Sequence, residues 1–157
     1  MCWPTYTAVM SDAALTLGYL VADLHRLYVR QFDRMAAPHG LTHVQWRILK
    51  RLHDGQGVTP ADLASGMEME PVAVGRVLMR LQKAGLVHRQ QDPDERGCWR
   101  LYVTPASLPV IAQIDALATG LRGQILGETD PGELDRVVAV LARLHDNLAG
   151  FASLQRA

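Results

Sequence analysis

Apolar residues recur along the chain at two periods, and the change of period marks the elements. Leu17, Leu20, Val21, Leu24, Leu27 and Tyr28 return every three or four residues, while Arg26, Arg30, Asp33 and Arg34 tend to the other side, as in an amphipathic helix. That helix is expected to start near Ser11-Asp12, where Ser11 can cap the first-turn amides. It is expected to stop before Pro38, with His39-Gly40 as the turn. Trp46, Leu49 and Leu52, with Ile48 nearby, form a second stripe, opened by Thr42 and Gln45 at capping-box spacing and closed by Asp54-Gly55-Gln56-Gly57. Thr59-Pro60 sets a cap residue before a proline whose missing amide costs nothing at the first helical position. Leu63, Ala64 and Met67 face inward on this short helix, and Gly66 to Met69 turns the chain. Pro71 opens a further helix, with Val74, Val77, Leu78 and Leu81 on one stripe and Arg76, Arg80 and Lys83 on another, and Gly85 closes it.

Beyond Gly85 the pattern changes. Leu86 to Gln91 and Cys98 to Thr104 read as strands around Asp92-Pro93-Asp94-Glu95-Arg96-Gly97, a segment dense in turn formers. Thr104-Pro105 is expected to start a fifth helix carrying Ile111, Ile114, Ala118, Leu121 and Ile125. Asp130 and Glu133 are expected to cap a last one carrying Leu134, Val137 or Val138, Leu141, Leu144 and Leu148. The expected fold is mainly α with a small β-hairpin wing. A winged helix-turn-helix domain spans 41–104, with helical dimerisation arms at 11–37 and 105–153.

Composition narrows the class. A chain of 157 residues that is 48% hydrophobic and 20% charged is globular and long enough to bury a core. Net charge is zero, but 71–91 holds Arg76, Arg80, Lys83 and Arg89 and no acid, while the segment after Thr104 has four basic residues against six acids. This is one anion-facing surface on a neutral body. Cys2 and Cys98 form no CxxC pair, so neither a disulfide framework nor a zinc knuckle is expected, and the cytoplasm is the expected compartment. The N-terminus lacks the layout of a signal peptide, and no run approaches a membrane span. No nucleophile elbow, phosphate loop, zinc-protease helix or dinucleotide fingerprint occurs, so neither an enzyme nor a cofactor is expected. A metal site is not expected either: His39 and His43 are four apart, but a helix boundary separates them.

The chemistry that remains is recognition of duplex DNA. Arg76 lies early in the basic helix, the part of a recognition helix nearest base edges, where arginine can bond guanine bidentately. Arg80 and Lys83 suit phosphates, which set register without reading sequence. Arg96 at the hairpin tip suits a narrow minor groove, and Asp94 could stiffen the tip by accepting from Arg96 or from loop amides. Because 59–104 balances six acids with six bases, non-specific affinity should be modest and strongly salt-dependent. The alternative is a solvated basic face on a helical dimeric interaction module with weak or lost DNA binding.

Leu41-Thr42, Gln45-Trp46, Thr59-Pro60, Leu63-Ala64, Leu81, Gly85-Leu86-Val87, Arg89, Asp92-Pro93, Arg96-Gly97 and Leu101 to Thr104 form an ordered set that resembles the MarR family of bacterial regulators, over about 17–148. The resemblance implies a homodimer whose first and last helices interlock and whose two winged domains grip a palindromic operator, more often as a repressor than an activator. It places the recognition-helix arginine at Arg76 and the wing pair at Asp94 and Arg96. Val72, Ala73 and Val74 stand where members often carry serine or threonine, so apolar contact of Val72 and Ala73 with thymine methyls replaces hydroxyl readout. The resemblance also implies a small aromatic effector bound between arms and DNA-binding lobe, against His25, Tyr28, Phe32, His39 and Trp46. The alternative is that these side chains fill the core. A redox-responsive regulator using Cys98 on the wing is a further alternative.

Overall fold

The computed structural model describes residues 13–154, so Cys2 and the expected cap Ser11 lie outside the described residues. Six helices and one hairpin follow in the expected order. The first helix, α1 (Ala13–Ala36), runs into a single 3-10 turn at Ala37–His39, stopped by Gly40 at φ +70°. Next comes α2 (His43–Asp54), opened by the reciprocal capping box of Thr42 and Gln45. Asp33 of α1 also accepts the His43 amide at 2.6 Å, so the first helix caps the second. In α3 (Pro60–Gly66) the Thr59 hydroxyl accepts the Asp62 amide, and α4 (Pro71–Lys83) starts on its proline. The turn between α3 and α4 passes through Glu68 at φ +51°, a left-handed conformation that costs a non-glycine residue roughly 1–2 kcal/mol.

The hairpin pairs β1 (Val87–Gln91) with β2 (Trp99–Val103) antiparallel, in the register Val87 opposite Val103 and Gln91 opposite Trp99. Val58 bridges Leu101 from outside, adding a short third rung. Gly57 beside it sits at φ +79°, and a Cβ there would meet the Tyr102 hydroxyl at 3.2 Å, so only glycine fits. Side chains from each of these elements, with Ile111 and Ile114 beyond them, are buried: Phe32, Ile48, Leu49, Leu52, Leu63, Val74, Leu78, Leu81, Val87 and Leu101.

Helix α5 (Ser107–Leu126) starts later than Thr104-Pro105 predicts. Thr104 is held by the hairpin instead: its amide donates to the Leu86 carbonyl and its hydroxyl to the Gly85 carbonyl. The buried Ser107 hydroxyl donates to the Thr104 carbonyl and closes the intervening turn, so the helix begins at Ser107. The first half of α5 belongs with the preceding elements, as Asp115 accepts the Trp46 indole N–H at 2.9 Å and pairs with Lys50 at 3.3 Å.

From Gly120 on, the described residues form a second compact unit, whose helix α6 (Pro131–Leu154) starts with Asp130 accepting the Glu133 amide at 3.0 Å. Its Val137, Val138, Leu141, Leu148 and Phe151 are exposed, as are Leu17, Leu20, Val21, Leu24 and Leu27 on α1 and Ile125 on α5. Among the described residues no helix is long and apolar enough to cross a membrane.

Candidate nucleic-acid interface

The two faces of α4 are chemically distinct. Val74, Leu78 and Leu81 are buried, which fixes the helix's rotation about its axis. The same rotation exposes Val72, Ala73, Arg76, Met79, Arg80 and Lys83. Among the described residues none of these three cations has an ion-pair partner, and the same holds for Arg89 on β1 and Arg96 at the hairpin tip. Glu70, at the N-cap of α4, makes no side-chain capping bond. A Cβ on Gly75 would meet nothing within 4 Å, so the chain's own packing does not demand glycine there.

The carboxylate that stiffens the wing is Asp92, not the expected Asp94. Asp92 is buried, one oxygen accepting the Asp94 amide at 2.9 Å and the other paired with the Arg100 guanidinium. Arg100 also donates to the Gly57 carbonyl at 2.8 Å, so the loop end of β2 is tied to the segment after α2. Asp94 is exposed and contributes its backbone; among the described residues its side chain has no ion-pair partner. The Asp94 amide first, then Arg100, holds the Asp92 carboxyl below the usual carboxylate range. The resulting stability is present above that range and is lost as pH falls through the depressed value. Asp92→Asn should free the wing at neutral pH and so mimic Arg96→Ala. The salt slope of DNA binding should fall by about one per subunit, and an unchanged slope would contradict the clamp.

Cys98 is half-buried at the same loop, its sulfur within 4.8 Å of carboxylate oxygens of Asp92 and Glu95. The neighbouring cation, Arg100, is already committed to Asp92.

The residues expected to meet an effector separate. Phe32 is buried beneath a ring cluster, 4.9 Å from the His43 centroid and 5.0 Å from that of Trp46, and Tyr28 packs edge-on to His43 at 5.6 Å. His25, Tyr28, His43 and Trp46 line an open groove of about 800 Å³, together with Arg47, Lys50, Arg51 and Met67. His39 sits exposed on the 3-10 turn and does not line it. The sequence reading passed over His43, considering it only as a metal ligand. Its position one residue past a capping threonine put it on the boundary, and only the packing of α1 against α2 makes it central.

Burial, with help from Arg47 and His25 against the opposing pull of Asp33, lowers the His43 pKa below 6.5. Below 6.5 the unfolded chain takes up a proton that the folded chain refuses. Stability should therefore be complete above that pH and decline as pH falls from 6.5 toward the folded value. Melting temperature followed from pH 8 to pH 5 should drop more steeply for the wild type than for His43→Phe; parallel curves would contradict this assignment.

The family model described as MarR family matches residues 41–97. Among solved structures, the transcriptional regulator PA3341 is 29% identical with a TM-score of 0.77, over 85% of this chain and 98% of that one. A mutant MarR from E. coli complexed with operator DNA is 20% identical with a TM-score of 0.77, over 85% and 99%. The S. aureus MepR–DNA complex is 16% identical with a TM-score of 0.75, over 83% and 96%. Residues 41–97 thus match the MarR family model, and the chain has the winged-helix fold of these solved regulators.

Proposed function

We propose that this chain is a sequence-specific DNA-binding transcriptional regulator, acting as a repressor and binding a palindromic operator as a homodimer. The observation that carries the reading is the set of exposed cations on α4 and the hairpin, without ion-pair partners among the described residues, on a helix whose opposite face is locked in the core. Arg76, with Val72 and Ala73, reads bases in a major groove. Arg80, Lys83 and Arg89 hold phosphates, and the wing, with Asp94 and Arg96, reaches the adjacent minor groove. The exposed leucines and valines of α1 and α6 support pairing of two copies, since such apolar surface is costly to leave in water. A gel-shift assay on the chain's own upstream DNA tests the proposal. A retarded complex of two chains on a palindrome supports it, and a monomer that ignores every duplex at low ionic strength ends it.

The groove between α1 and α2 favours a second element of the reading, release of DNA by a small aromatic acid. Its rings offer stacking and its Arg47 and Arg51 offer charge to a carboxylate. Titration with a panel of aromatic acids, followed by Trp fluorescence and operator binding, checks it; silence across the panel leaves the cluster as core.

A further inference from the structure

We propose that Trp99 is a DNA-contacting residue of the wing, packing its ring against the sugar-phosphate wall of the groove that Arg96 enters. The inference rests on the DNA-binding reading above. Side chains alternate along β2, so Trp99 shares a face with Leu101 and Val103. Those two are buried, whereas Trp99, one step further toward the tip, is 47% exposed. Among the described residues its ring has no aromatic partner and its indole N–H no acceptor. Trp46 shows what the fold does with an indole it needs: the ring packs on Phe32 and His43, and the N–H is bonded to Asp115. Core packing therefore does not account for a tryptophan at 99.

Its surroundings indicate the partner. Arg96 is three residues away at the tip, and Arg89 stands opposite Leu101 on the same hairpin face. Both guanidinium groups lack ion-pair partners among the described residues, while Arg100 is held by Asp92. A half-exposed indole flanked by unpaired cations complements a surface that alternates negative charge with apolar sugar edges, which is what duplex DNA offers along a groove wall. Such a contact neutralises no phosphate and reads no base. It should add affinity without adding salt dependence or sequence preference.

The test compares wild type, Trp99→Ala, Trp99→Phe and Arg96→Ala by fluorescence anisotropy on labelled duplexes, one from the chain's own upstream region and one scrambled, across a salt series. Trp99→Ala should bind both duplexes about tenfold more weakly with an unchanged salt slope, and Trp99→Phe should recover most of the loss. Arg96→Ala should lower the slope itself. Melting curves and sizing should match wild type for Trp99→Ala, because the indole is not part of the core. The proposal is overturned if Trp99→Ala binds as wild type does, or if it alters the association state, which would assign the ring to a contact between copies. Should the wild type bind no duplex, the DNA-binding reading fails and takes this inference with it.

Discussion

Arg76→Ala is expected to cost roughly 1–3 kcal/mol of operator affinity at each half-site while leaving binding to a scrambled duplex nearly unchanged. The reason lies in position. Arg76 is in the first half of α4, exposed, and without an ion-pair partner among the described residues, so its guanidinium is free to form a bidentate bond with a guanine edge. Arg80→Ala and Lys83→Ala, one turn and more further along, should instead weaken both duplexes alike and lower the salt slope, as loss of phosphate contacts does. Anisotropy titrations on matched and scrambled duplexes separate the two behaviours. If Arg76→Ala weakened both equally, base readout would have to be sought in another residue of the helix.

Leu78→Ala should cost about 2–5 kcal/mol of stability, out of the 5–15 kcal/mol that typically holds such a domain folded. Leu78 is fully buried on the stripe that fixes α4 to the core, so truncation leaves a cavity lined by neighbours that cannot all follow. Its neighbour Met79 is 64% exposed. Met79→Ala should therefore stay within about 0.5 kcal/mol of wild type. At roughly 2–4 °C for each kcal/mol, thermal melts resolve the pair easily. Equal melting temperatures for the two variants would mean that the rotation of α4, and with it the exposed set Val72, Ala73, Arg76, Arg80 and Lys83, is not the one described. The stability experiment thus also tests the orientation on which the recognition reading depends.

Elements with local causes were legible in the sequence. The capping box of Thr42 and Gln45, the proline starts at Pro60 and Pro71, the Asp130 cap and the turn-rich segment between the strands act over a few residues, and each appears where its chemistry predicts. So does the two-faced character of α4, because helical period alone separates Val74, Leu78 and Leu81 from Arg76, Arg80 and Lys83. The winged fold followed from the order of these pieces.

What the tertiary structure decided involves partners far apart in the chain. Arg100 reaches the Gly57 carbonyl across 43 positions and Trp46 reaches Asp115 across 69, and no local pattern marks either bond. Asp92 rather than Asp94 became the wing's anchor because only the folded hairpin sets Arg100 beside it. Thr104 ends the hairpin, its amide donating to the Leu86 carbonyl and its hydroxyl to the Gly85 carbonyl, and α5 starts three residues later. His43 entered the ring cluster, and His39 stayed in solvent, through the packing of α1 on α2. Backbone chemistry acts within a turn or two and can be read letter by letter. The pairing of a buried charge, an indole or an imidazole depends on which surfaces the core brings together, and that is settled only when the chain closes.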